Sequence, residues 1–215
     1  NEYNFNLKIK KIKIEDIPEC LKTLVPLIED NNVVKVGVAL TFYLAAKMAK
    51  QDGCKVLFSG LGSEEIFAGY DRHKKSANIN QECVSGLQKM HERDLYRDDV
   101  VSMDNNLELR LPFLDKILVD YALKIPTKFK IKDGMGKYIL REIALLRGIK
   151  EKFSFRKKKA AQYGSRIDNA LGRLARREKK NKSEYLKQFY PSHNLRLGVL
   201  YSGGKDSNYS MHIMH

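Results

Sequence analysis

The chain is 215 residues long, enough for one ordinary domain with a real core, and 43% of it is apolar. No apolar run reaches the ~18 residues a membrane-spanning helix needs, which argues against a helical membrane protein. The charge stands out: 40 Lys+Arg against 26 Asp+Glu gives +14, and points to a polyanionic partner such as a nucleotide, a nucleic acid or an acidic surface.

Residues 6–14 alternate apolar and basic side chains and read as a strand with one wet face. A helix follows, with Asp16 as its cap and Pro18 in its first turn. Residues 33–50 read as a longer, mostly buried helix ending at Asp52-Gly53, and residues 55–58 as a short apolar strand. Further helices are expected over 80–94, over 115–124 (stopped by Pro126) and over 137–148, after the Gly134/Gly136 turn. Residues 167–187 read as one basic helix with Ile167, Leu171, Leu174 and Tyr185 on its apolar face. Residues 191–194 read as a linker, 195–201 as a strand, and Asn208–His215 as the start of a helix. Helices interspersed with short apolar strands predict an α/β fold.

The positive charge is local. From Arg147 to Lys187 there are 15 Lys+Arg and 4 Asp+Glu, a net +11 in 41 residues. A solvated basic helix and an anion-binding surface both account for it. Cys20, Cys54 and Cys83 form neither a disulfide framework nor a zinc pattern. With no charged-then-apolar leader in view, they predict a reducing, cytoplasmic setting.

Two glycine turns carry the chemistry. Ser202-Gly203-Gly204-Lys205-Asp206-Ser207 follows a predicted strand and precedes a predicted helix. Consecutive glycines let backbone N–H groups face one anion, and the helix start adds partial positive charge. Ser202 and Ser207 can donate to phosphate oxygens, and Asp206 can hold a magnesium ion. The other turn, Ser59-Gly60-Leu61-Gly62-Ser63-Glu64-Glu65, also follows a strand. Its glycines permit close approach to a ligand, and its carboxylates suit a metal or a first helical turn.

The Ser202 turn resembles the ATP-pyrophosphatase loop of PP-loop enzymes, and residues 197–209 are most similar to the opening of diphthine–ammonia ligase. Four blocks in order resemble the synthetase domain of asparagine synthetases over roughly residues 1–166. They are 58–70, Glu108–Asp115 with Arg97-Asp98-Asp99 before it, Gly136–Glu142, and Lys157–Ser165. Gly69-Tyr-Asp-Arg-His73 and Gln162-Tyr-Gly-Ser-Arg166 favour the branch of asparagine synthetase domain-containing proteins.

The resemblance implies an adenine nucleotide alpha hydrolase-like fold, a Rossmann-like parallel sheet with helices, present here in part. It divides the chain into a synthetase-like portion (1–170), a basic helix and linker (171–194) and the start of a second PP-loop domain (195–215). It implies ATP-dependent adenylation of a carboxylate, release of pyrophosphate, and attack by ammonia to give an amide. Lys137 matches the family lysine that stabilises adenylation, and Glu64 is the other catalytic residue that the resemblance implies. Ser59, Gly60, Gly62, Ser202, Gly203, Gly204, Asp206 and Ser207 would bind ATP, and Glu64 and Asp206 would hold Mg2+. Arg110 and Asp115 read as a structural ion pair. Leu61 stands where the asparagine-forming enzymes carry a glutamate, and Glu64 where their motif has aspartate, so the acceptor carboxylate stays open. Implied partners are that carboxylate and ammonia, with a protein substrate on the diphthine–ammonia ligase reading. An inactive relative whose basic helix binds RNA is the alternative from another class.

Overall fold

The structure, a computed structural model, describes residues 2–190. The expected linker, strand, phosphate loop and helix after residue 190 lie outside the described residues.

The first segment departs from expectation. Among the described residues, the segment 6–14 pairs with no strand, and Phe5, Leu7 and Ile9 stand exposed. Alternation alone makes no strand where no neighbouring edge is offered. The segment is instead pinned by side chains: Glu2 to Lys150 and Lys152, Tyr3 against Phe153, and Lys8 to Asp52 at 2.6 Å. A 3-10 turn, Ile14–Asp16, leads into α1 (Ile17–Leu27), with Pro18 in its first turn. Asp16 does not cap α1. The 3-10 turn already holds it at φ −82° and ψ −15°, whereas a capping side chain needs extended backbone.

α2 (Val33–Gln51) is capped by Asn32, whose side chain accepts from the Val34 and Lys35 N–H groups at 3.0 and 3.2 Å. The chain then runs through β1 (Val56–Phe58), α3 (Ser63–Ile66), α4 (Asp71–Lys75) and α5 (Ile79–Gln88). The helix expected over 80–94 is interrupted: a single π turn, His91–Leu95, joins α5 to α6 (Tyr96–Asp104). β2 (Glu108–Arg110) precedes α7 (Lys116–Lys124), which Asp115 caps through the Leu118 N–H at 3.1 Å. α8 (Thr127–Lys130) runs into a small hairpin, β3 (Ile131–Lys132) and β4 (Met135–Gly136), and then α9 (Tyr138–Leu146). α10 (Glu151–Ser154), α11 (Ala161–Gly164), α12 (Ile167–Arg177) and α13 (Lys182–Lys187) complete the described chain.

β1 and β2 pair in parallel, with Leu57 opposite Leu109. Parallel pairing requires a crossover, and residues 59–107 supply it with α3 to α6. The arrangement is α/β and dominated by helices. One core joins α1, α2, α6, α12 and α13 through side chains such as Leu21, Leu40, Val101, Leu171 and Leu186. A second packs Ile66 and Phe67 against Ala122 and Ile125, with Phe113, Leu118 and Leu140 around them. The basic helices thus bury Ile167, Leu171, Leu174 and Tyr185 as expected, and keep Arg173, Arg176 and Arg177 outside. No described helix is long and apolar enough to cross a membrane.

Candidate active site

The cleft is built at the seam between the second core and the β3–β4 hairpin. After β1 the Ser59 N–H bonds to the Arg110 carbonyl at 3.0 Å, which extends the parallel ladder by one residue. The Ser59 hydroxyl accepts from the Leu61 N–H at 3.2 Å, folding the turn back on itself. Gly62 opens α3 in the left-handed region at φ +95°, which costs a glycine little. A methyl group on Gly60 would meet nothing within 4 Å, so this backbone is open to an incoming ligand.

α3 turns Glu64 inward, and Lys137 comes to meet it from the other side. Two close approaches make this possible. A Cβ on Gly69 would lie 1.7 Å from Glu64 Oε2, and one on Gly136 would lie 2.4 Å from the Ala68 carbonyl oxygen. The hairpin therefore lies directly on the chain that leaves α3, with the Lys137 N–H bonded to the Phe67 carbonyl at 3.1 Å. Lys137, itself left-handed at φ 56°, starts α9 and places Nζ 2.9 Å from Glu64 Oε1.

Lys158 reaches the same oxygen, also at 2.9 Å. Burial pushes the Glu64 carboxyl up, but the hydrogen bonds from Lys158 and Lys137 outweigh it and hold the pKa below the usual carboxylate value. Glu64 Oε2 is buried without a hydrogen-bond partner among the described residues. Around this triad lies a cleft of about 500 Å³ whose lining carries six cationic side chains, Lys137, Arg141, Arg156, Lys157, Lys158 and Lys159, and one carboxylate, Glu64. A second cleft of about 860 Å³ shares Lys137, Arg141 and Lys157–Lys159 and adds Lys74, Tyr70, Tyr163 and two carboxylates, Asp71 and Asp133. In the smaller cleft the surplus of cations gives a positive potential, which attracts anions.

A buried layer supports the turn from beneath. Glu65 is 0% exposed and pairs with Arg93 of the π turn at 2.5 Å. Arg93 also pairs with Asp94 at 2.6 Å, and Arg97 with Asp94 and Asp98 at 3.2 and 2.7 Å. Burial raises the Glu65 carboxyl, offset in part by its own backbone N–H and by the Arg93 charge. The Tyr70 hydroxyl is raised in turn, by burial and by the Glu65 charge. Lys130, at the end of α8, is fully buried with no hydrogen-bond partner among the described residues, and burial lowers its pKa.

Of the residues expected in the site, Lys137 and Glu64 are in direct contact, with Ser59, Gly60 and Gly62 on the turn that leads to them. Ser202, Gly203, Gly204, Asp206 and Ser207 lie outside the described residues. Arg110 and Asp115 do not pair with each other: Arg110 pairs with Glu108 at 2.9 Å, while Asp115 caps α7. Lys158, Arg141 and Tyr70 sit inside motifs visible in the sequence, yet nothing in their spacing marks them apart from neighbouring basic and aromatic residues.

The family model for asparagine synthase matches residues 3–82 and 73–196, so the match runs on through α12 and α13. A putative glutamine-hydrolysing asparagine synthetase of Methanocaldococcus jannaschii is 30% identical over 85% of this chain and 42% of its own length. Asparagine synthetase B of Escherichia coli is 32% identical over 58% of the chain and 23% of its own length. An asparagine synthetase domain-containing protein of Saccharomyces cerevisiae is 34% identical over 52% of the chain and 21% of its own length. The chain thus spans less than half the length of these relatives. By the extent of the family match and by this likeness, the chain belongs to the asparagine synthase family.

Proposed function

We propose that the chain forms the carboxylate-activating part of an ATP-dependent amide ligase of asparagine synthetase type. The observation that carries this reading is the convergence of Lys137 and Lys158 on Glu64 in a cation-lined cleft beside the open Ser59–Ser63 turn. The substrate carboxylate attacks the α-phosphate of ATP, pyrophosphate departs, and ammonia then attacks the acyl adenylate and releases AMP. Negative charge grows on the departing phosphates, so catalysis asks for fixed cations aimed at them. Lys137 is placed for that, preorganised by its left-handed backbone and by Glu64. Gly60, beside Ser59, gives the nucleotide an approachable backbone, while Gly62 packs against Leu114 and serves the turn itself.

Magnesium supplies further neutralisation of phosphate charge when it accompanies ATP. The described residues do not form a magnesium site on their own. Glu64 is the one carboxylate lining the smaller cleft, it is already bridged by two ammonium groups, and no group of three metal-ligating side chains gathers among the described residues. The proposed metal roles of Glu64 and Asp206 therefore rest on the family resemblance.

The test uses the full-length protein, ATP, ammonia and a panel of carboxylates. Carboxylate-dependent release of AMP and pyrophosphate in equal amounts is expected. Release of ADP and phosphate, or no turnover with any carboxylate, contradicts the reading. The diphthine–ammonia ligase reading rests on residues outside the described structure.

A further inference from the structure

A groove of about 740 Å³ opens between the extended segment 10–14, α2 and the start of α12. It shares no lining residue with the two clefts around Lys137. Four cations line it and no carboxylate does: Lys10 and Lys11 come from the segment, Arg166 and Arg173 from α12 and its cap. None of the four forms an ion pair among the described residues. The acids on the same elements are engaged elsewhere, Asp168 by Lys182 at 2.5 Å and Glu15 by Arg177 at 3.4 Å.

Between these cations the lining is apolar. Ile12, Ile14, Leu44, Met48 and Ala170 contribute to it, together with the Thr41 and Ser165 hydroxyls, 3.3 Å apart. More than half of the lining residues are apolar and none is aromatic. The groove therefore offers a nucleic acid no ring for its bases to stack on, and apolar surface that a phosphate backbone does not use. The segment itself is open to another chain. Residues 8–12 make no backbone–backbone hydrogen bond among the described residues and pair with no strand there. An extended peptide laid along such a segment satisfies its backbone groups, while the side-chain surfaces beside it give selectivity.

We propose that this groove binds an extended acidic peptide of a partner protein. Its apolar side chains settle on Ile12, Leu44 and Met48, and its carboxylates meet Lys10, Lys11, Arg166 and Arg173. The proposal goes beyond the adenylation reading and does not depend on it. Charge selects the occupant. A second copy of this chain, at +14, repels the groove instead of complementing it. Residues 191–215 carry two basic side chains, Arg196 and Lys205, against one carboxylate, Asp206. The acids that these four cations call for therefore come from another protein. In a peptide where acidic and apolar residues alternate, the two kinds stand on opposite faces of the extended chain, which matches an apolar floor between long cationic side chains.

The experiment is calorimetric titration of the full-length protein with a ten-residue peptide of alternating glutamate and valine. Binding is expected. It weakens about tenfold or more when glutamine replaces glutamate, or when Arg173→Glu reverses one cation of the groove. Serine in place of valine weakens it as well, which a purely electrostatic surface would not require. Lys89→Glu makes the same change of charge at the end of α5, outside the groove, and stays within about threefold. Absent binding, equal affinity for the glutamine peptide, or equal affinity in Arg173→Glu overturns the proposal. So does tighter binding of a ten-nucleotide polyuridylate or of phosphatidylserine vesicles than of the peptide. Lysine acetylation of the wild type reads the site without any variant: the peptide should protect Lys10 and Lys11 and leave Lys89 unchanged. Lys10 and Lys11 already protected before peptide is added would mean that the protein fills its own groove, and would overturn the proposal equally.

Discussion

The contact between Gly69 and Glu64 sets the tightest steric limit in the site. Gly69→Ala puts a methyl group where Glu64 Oε2 now lies, so the carboxylate must move and both lysines lose their anchor. Overpacking of this kind costs about 1–3 kcal/mol, and thermal unfolding together with pyrophosphate titration should show lower stability and weaker binding. Lys130 makes a prediction of the opposite sign. Its burial depresses the ammonium pKa, so the folded protein binds fewer protons than the unfolded chain between that depressed value and the usual ~10.4. Stability should therefore rise with pH through this alkaline window. Lys130→Met should remove that slope and raise the melting temperature, because it deletes a buried donor whose lost hydration costs about 1–3 kcal/mol. A melting temperature that falls in Lys130→Met at neutral pH contradicts this. At this scale the sequence was partly legible. Lys137 stood out only through the family resemblance, because on residue type alone it is one of 40 basic side chains. The part taken by Lys158 could not be read, since four adjacent cations are chemically alike until Glu64 chooses one.

Among the elements, the π turn His91–Leu95 does most to shape the site from a distance. It interrupts what periodicity reads as one helix, and it carries Arg93 and Asp94 to buried Glu65 and to Arg97. An inserted π turn re-aims side chains without ending the helix, and apolar spacing gives no sign of it. Arg93→Met leaves Glu65 buried and unpaired, and should destabilise the fold by about 3–5 kcal/mol. Glu65→Gln in the same chain should recover part of that loss; no recovery would show that Arg93 stabilises by packing alone. The basic helix teaches a similar lesson. Read as continuous over 167–187, it breaks where Lys179 turns left-handed at φ 57° and Asn181 starts α13 with a capping box to Glu184. Asn181-x-x-Glu184 is a start signal present in the sequence, but the apolar spacing of Leu171, Leu174 and Tyr185 hides it. Asn181→Ala should cost about 1 kcal/mol by chemical denaturation.

At the scale of the whole molecule, the +14 charge divides into two uses. The part on α12 faces outward as Arg173, Arg176 and Arg177 while the opposite side of the helix fills the first core. The part between residues 156 and 159 lines the cleft with Lys137 and Arg141. Composition alone could announce an anion-binding protein but could not divide the charge, since that depends on the parallel pairing of β1 with β2 and on the hairpin folded over α3. The α/β class was legible because helices alternate with short apolar strands. The strand expected over 6–14 was not realised among the described residues, where no neighbouring edge is offered to that amphipathic stretch. The adenylation reading is tested most directly by carboxylate-dependent exchange of radiolabelled pyrophosphate into ATP in the full-length protein, beside its Lys137→Met variant. The account predicts exchange with at least one carboxylate and its loss by a factor of about 100 or more in the variant, in line with removal of a cation aimed at the transition state. No exchange with any carboxylate, or equal exchange in the variant, would contradict it.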